Sequence, residues 1–246
     1  MTISQTEKGQ KFEALHNRSG TFVIPNPWDA GSARILGALG FEALATTSAG
    51  FAFAIGKRDG ATSREELLEH LRALTAASDL PVSADLEKCF GDDPRHPIYD
   101  FGHAVERVAA AAEAARALPF RFMLTARAEN FLRGRPDLDD TIRRLQAFEK
   151  AGADVLYAPL LPDIAAIKTV CAAVSKPVNV LAGRPLLSVA ELAQAGVKRV
   201  SIGGLLALGA LGGLLRAARE VKEHGTFTFA KDAARGAEIN AMMREK

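Results

Sequence analysis

FRFMLTARAENFLRGRPDLDDTIRRLQAFEKAGADVLYAPLL, residues 120–161, decides the fold. An apolar run at 120–129 leads into a polar turn, an amphipathic segment at 138–151 and a second apolar run at 153–161. Asp137, followed by Asp139 and Asp140, is a helix start, because acidic side chains answer the unpaired N–H groups of a first turn. Gly152 closes the helix where a left-handed residue is wanted. Strand, helix and strand with short connections imply parallel pairing through a right-handed crossover.

The same alternation extends in both directions. Further strands are expected at 21–26, 42–48, 80–87, 176–183 and 198–204, and further helices at 29–40, 63–78, 100–118, 163–175, 188–196 and 205–224. Ser63 with Glu65 and Glu66 starts one helix, and Gly40 and Gly196 close two others. Most strands read as continuous apolar runs, as in a parallel sheet buried on both faces. That leaves a closed barrel or an open doubly wound sheet. After the first strand, PNPWDAGSAR has one Gly and no G-x-G-x-x-G, which argues against a dinucleotide site. Asn26, Ser48, Asp85, Glu87, Arg127 and Glu129 fall at the C-terminal ends of several strands, where a barrel builds its active site. An open sheet would draw on fewer strands. The expectation is an α/β fold, a (β/α)8-type barrel, forming one domain over 1–246 with a hinge and helix at 226–246.

The strand count reaches seven, not eight. HPIYDF (96–101) is short and bounded by proline, unsuited to a central strand, and TFTFA (226–230) lies past the last barrel helix. One helix–strand unit is therefore expected to be missing after Glu87.

Composition narrows the function. Of 246 residues, 48% are hydrophobic and 24% charged, with formal net charge +2, so neither disorder nor a general attraction to nucleic acid or anionic membranes is indicated. No apolar run approaches the ~18 residues of a membrane span, and the N-terminus lacks a signal-peptide core, so a soluble cytoplasmic protein is expected. Cys89 and Cys171 are too few for a disulfide framework.

Candidate chemistry lies at the strand ends. Asp85 and Glu87 are two apart, so on a strand both carboxylates face one way. Their repulsion calls for a hard divalent cation, and Mg²⁺ takes a few carboxylates plus water and substrate oxygens; the bland reading is a strand end fraying into solvent. Arg127 offers a planar fork for a carboxylate or phosphonate, and Glu129 could orient it, or the two form a structural ion pair. TTSAGFAFAIGKRDG (46–60) reads as a small-residue loop whose backbone and Thr47 and Ser48 hydroxyls could approach an anion, or as an ordinary flexible loop. Among the scattered histidines only His96 could reach the mouth. Cys89 has no visible base partner, Cys171 reads as core, and Trp28 could wall the pocket or pack beneath it.

PNPWDAGSARILGALGF (25–41), TTSAGFAFAIGKRDG (46–60), PVSADLEKCFGDDP (81–94) and the stretch 125–159 together resemble the isocitrate lyase/phosphoenolpyruvate mutase superfamily. The resemblance covers the chain from about residue 12 onward. It implies a (β/α)8 barrel whose last helix is exchanged between subunits of a homotetramer or dimer. It also implies cleavage or formation of C–C or P–C bonds in small 2-oxo or hydroxy acids, with Mg²⁺ or Mn²⁺. By resemblance, Asp59 is the loop aspartate after the second strand, and Asp85 and Glu87 are the metal-directing acids, many members having Asp at the latter. Arg127 resembles the substrate-carboxylate arginine; Thr47, Ser48 and Ala49 resemble the substrate-holding loop, with Glu129 beside the arginine. Two departures stand out. The fourth-strand Glu that completes the metal site is not found, and neither is the Lys-Lys/Arg-Cys-Gly-His motif of the true lyases. The expected activity is Mg²⁺-dependent cleavage next to the carbonyl of a 2-oxo acid through an enolate. The alternative is a catalytically silent paralogue that keeps the fold and the oligomer.

Overall fold

The computed structural model describes residues 3–87, 98–183 and 185–243. In chain order its elements are α1 (Gln5–Asn17), β1 (Phe22–Ile24), α2 (Ala30–Ala38), β2 (Leu44–Ala45), α3 (Ser48–Ala54), α4 (Arg64–Ala77), β3 (Val82–Ser83) and α5 (Phe101–Arg116). They continue with β4 (Thr125–Arg127), α6 (Leu138–Lys150), β5 (Val155–Tyr157), α7 (Ile164–Ala173), β6 (Val178–Leu181), α8 (Val189–Gln194), β7 (Arg199–Ser201), α9 (Leu205–His224) and α10 (Gly236–Met242). The chain forms two compact units, Met1–Ile24 with Gly91–Ser201, and Pro25–Phe90 with Ile202–Lys246.

The first unit is built on a parallel sheet ordered β1-β7-β6-β5-β4. One face carries Ala126, Leu156, Val178, Val180 and Val200, packed with Leu145 and Phe148 of α6, Ile167 and Val170 of α7 and Leu192 of α8. Burying each large aliphatic contributes about 1.5–3 kcal/mol. Side chains alternate along a strand, so Thr125, Arg127, Tyr157, Asn179, Arg199 and Ser201 share the opposite face. The strands are thus less uniformly apolar than expected. Their core face is hydrophobic and their other face is largely polar. α1 was not foreseen; a reciprocal cap between Ser4 and Glu7 starts it, and it buries Phe12, Leu15 and His16.

In the second unit β2 and β3 pair in parallel, Leu44 with Val82 and Ala45 with Ser83. Leu44, Ala33 and Leu36 of α2 and Leu74 of α4 form a small apolar cluster. Here the expected loop at 46–60 is corrected, since residues 48–54 form α3, capped by Thr47, whose Oγ1 accepts the Gly50 N–H at 3.2 Å. The run of small residues serves packing. A Cβ on Gly50 would lie 2.7 Å from Thr47 Cγ2 and 3.0 Å from Trp28 Cβ. The expected tail helix is confined to α10, after a 3-10 turn at Thr228–Asp232, and Arg34 Nη1 holds the Met243 carbonyl at 2.6 Å.

The local punctuation follows from residue type. Ser63 Oγ accepts the Glu66 N–H while the Glu66 carboxylate accepts the Ser63 N–H at 2.7 Å, and Asp137 Oδ1 accepts the Asp140 N–H at 2.8 Å. Gly40, Gly152 and Gly196 have φ of +88°, +106° and +91°, the left-handed region that favours glycine. Seven strands stand among the described residues, each inside an expected run and shorter than it. The place of the expected missing unit, and Cys89 and His96 with it, falls on 88–97, outside the described residues.

Candidate active site

In the second unit the strand ends are tied together by side chains that bond to backbone. Asn26, just after β1 and 4% exposed, donates from Nδ2 to the Thr46 carbonyl at 2.7 Å. Its Oδ1 accepts the N–H groups of Ile202 and Gly203, both at 2.8 Å. Thr46, beyond β2 and 1% exposed, accepts the Asp85 N–H on Oγ1 at 2.8 Å. One amide and one hydroxyl thereby set the height of the loop that carries Asp85.

Asp85 and Glu87 are brought together by a different route from the one expected. β3 ends at Ser83, so strand alternation does not reach them. A turn does the work: Glu87 has φ +50°, in the left-handed region, and its N–H donates to Asp85 Oδ1 at 3.0 Å. A non-glycine residue held there is a strained feature of the kind that clusters at functional sites. Two half-buried carboxylates are hard oxygen donors, and Mg²⁺ is commonly held by one or two carboxylates with water and substrate oxygens, so this pair fits such an ion. Among the described residues no group of three or more His, Cys, Asp or Glu is gathered for a metal.

Thr47, Ser48 and Ala49 lie at the start of α3. The Thr47 hydroxyl already accepts from Gly50, and Ser48 and Ala49 are half-buried. Asp59 stands apart in an exposed turn after α3 and makes no hydrogen bond or ion pair among the described residues.

In the first unit Arg127 ends β4. Its Nη2 lies 2.6 Å from Glu129 Oε1, while Arg133 Nε takes Oε2 of the same carboxylate at 2.7 Å. One carboxylate is thus shared by two guanidiniums, which ties the Arg127 side chain to the loop after β4. Arg133 was missed in the sequence, although the Glu129–Arg133 spacing of four is the signal. The loop behind is anchored by Asn130, which donates to Asp140 at 2.8 Å, and Asp140 is also held by Arg144 at 2.7 Å. Burial pushes the thiol of Cys171 on α7 up to about 11, which keeps it in the protonated form at neutral pH.

These strand-end groups stand on parallel strands followed by helices, which defines a class, the TIM-barrel-type α/β folds. The phosphoenolpyruvate phosphomutase family model matches residues 12–98 and 92–222, and the chain belongs to that family, within the PEP mutase/isocitrate lyase superfamily. A Mycobacterium tuberculosis (H37Rv) relative, uncharacterized protein Rv1998c, is 31% identical over 231 residues, covering 86% of this chain and 89% of its own. A candidate lyase/mutase of known structure from Burkholderia cenocepacia J2315 is 52% identical with a TM-score of 0.93, over 96% of both chains. Phosphonopyruvate hydrolase, solved with oxalate and Mg²⁺, shares the fold at TM-score 0.81 and 20% identity, over 96% of this chain and 94% of that one. No helix among the described residues is long and apolar enough to cross a membrane.

Proposed function

We propose that this chain is a Mg²⁺-dependent enzyme, with Mn²⁺ as a substitute, that cleaves a C–C or P–C bond next to the carbonyl of a small 2-oxo acid through an enolate. The observation that carries the reading is the Arg127–Glu129–Arg133 cluster at the end of β4 in a member of this family. Arg127 would hold the substrate carboxylate in its fork, with Glu129 keeping that fork aimed. Asp85 and Glu87 would hold the metal, whose bound charge stabilises the negative charge developing on the carbonyl oxygen. Thr47, Ser48 and Ala49 would bind the substrate through hydroxyl and backbone groups, and Asp59 would act on it from the turn after α3.

Oxalate and Mg²⁺ test this without knowledge of the substrate. Together they should raise Tm, by about 2.7 kcal/mol of stabilisation at a hundredfold excess over Kd. Asp85→Ala should remove the Mg²⁺ dependence and Arg127→Met the oxalate response. No shift from either ligand at millimolar concentration overturns the reading. A catalytically silent paralogue is the second reading, motivated by the fourth-strand metal-site Glu that the sequence lacks, in the region where the two stretches of the family match, 12–98 and 92–222, overlap. Activity that disappears in Asp85→Ala excludes it.

A cytoplasmic homo-oligomer, tetramer or dimer, built through the C-terminal helix is part of the same proposal. Leu208, Leu214 and Leu215 of α9 and Phe227 beyond it are exposed apolar side chains, the kind of surface a second copy covers. A monomer by light scattering at micromolar concentration contradicts it.

A further inference from the structure

The polar face of the five-stranded sheet holds a row of which the proposed function uses Arg127 alone. Arg127, Tyr157, Asn179 and Arg199 are consecutive register partners across β4, β5, β6 and β7, so their side chains stand side by side on one face. Arg199 is 4% exposed. Its Nε donates to Asn179 Oδ1 at 2.8 Å, Nη2 to Thr125 Oγ1 at 3.0 Å, and Nη1 approaches His16 Nε2 at 3.5 Å.

None of these partners is an anion. His16 Nδ1 donates to the Phe12 carbonyl at 2.8 Å, which leaves Nε2 as an acceptor. Burial, then the Arg199 charge, pushes the His16 pKa down to about 4, so the ring is neutral at pH 7. Among the described residues Arg199 has no carboxylate at ion-pair distance. A buried cation with neutral partners is costly and calls for a counter-charge. Burial lowers Arg199 to about 10, and the group whose field opposes that fall is the Tyr157 phenol. Tyr157 ends β5 as Arg127 ends β4, in register with it. Charged or titratable groups along this row among the described residues include Arg127 with Glu129 and Arg133, Arg199 on β7, and His16 on α1, which also feels Asp154 and Lys198.

We propose that Tyr157 is an acid–base residue of the Arg127 site, with the buried Arg199 guanidinium as its positioning partner. The inference rests on the enolate reading above. In the step, the phenol O–H bond breaks and a C–H bond forms at the enolate carbon left by bond cleavage. The phenolate is held beside the Arg199 charge until water returns a proton after product leaves. A positioned donor of this kind contributes about 10²–10⁴-fold in rate.

Two measurements test it. The chain has two tyrosines, Tyr99 and Tyr157, so the tyrosinate absorbance of wild type against Tyr157→Phe isolates one ionisation. Tyr157 should ionise at lower pH than Tyr99, move upward in Arg199→Met and stay low in Arg199→Lys. An ionisation at or above that of Tyr99 overturns the proposal. Should Arg199→Met fail to fold, the wild type and Tyr157→Phe comparison decides alone. The second measurement follows deuterium entering the methyl group of pyruvate, with Mg²⁺, in deuterium oxide by NMR. Tyr157→Phe should slow exchange by about a hundredfold or more, with folding confirmed by its melting curve. Exchange unchanged in Tyr157→Phe but lost in Arg127→Met overturns this proposal and leaves the enolate reading standing. No exchange in the wild type overturns both.

Discussion

The two units hold their strand ends in place by opposite means. In the first, charge meets charge around an apolar core: Asp154 takes Arg116 at 2.9 Å, Arg121 at 2.8 Å and the Leu124 N–H at 2.8 Å, and Glu129 takes two arginines. In the second, strands of two residues offer few ladder bonds, and neutral side chains bond to backbone instead, Asn26 to three groups and Thr46 to one. Ion pairs tolerate small shifts in geometry, because Coulomb attraction falls slowly with distance. A neutral amide bridging a carbonyl and two N–H groups does not. The loop carrying Asp85 is therefore set by hydrogen-bond geometry, and Arg127 by charge.

The largest effect should come from breaking the neutral bridge. Asn26→Leu leaves a carbonyl and two N–H groups without their partner, each costing about 1–3 kcal/mol, so the variant should lose at least about 3 kcal/mol in urea unfolding. That loss should be the same in low and molar salt. Asp154→Ala attacks the other device and should cost about 3 kcal/mol, less than a fully buried pair because Arg116 and Arg121 are partly exposed. Its cost should shrink in molar salt, which screens the wild-type attraction. Equal salt dependence of the two variants would break the contrast.

The smallest effect treats both units alike. Burial pushes His16 in one and His70 in the other down to about 4 from 6.5. The unfolded chain then binds more protons between those values, so stability rises with pH across the window and is lost as pH falls from 6.5 toward 4. The loss is about 2 kcal/mol per histidine by about pH 5. His70 stacks on Phe51 at 3.9 Å, and its Nε2 has no hydrogen-bond partner among the described residues. His70→Phe should therefore flatten half of the acid slope without leaving a broken bond. A slope unchanged in that variant would show that His70 titrates normally in the fold.

Much of this organisation is legible in the chain. The positions of the seven strands, the starts at Ser63 and Asp137 and the stops at Gly40, Gly152 and Gly196 depend on neighbours within a few residues. The candidates Asp85, Glu87, Arg127 and Glu129 are legible as strand-end groups. α3 is not, because Ser48–Ala54 resembles a flexible loop until Trp28 is seen lying against Gly50. The turn that joins Glu87 to Asp85 is also hidden, since a left-handed glutamate carries no compositional mark.

By itself the sequence determined the order of the seven strands and of the helices between them other than α1 and α3, several of their caps and the family, because each rests on local spacing or a run of matched motifs. The tertiary structure alone decided the partners. Asn26 bonds to residues 20 and about 176 positions away, and Arg199 to Asn179, Thr125 and His16. The period-two pattern of Arg127, Tyr157, Asn179 and Arg199 is visible in each strand separately. Only sheet register places them in one row, and register is set by pairing between strands distant in sequence.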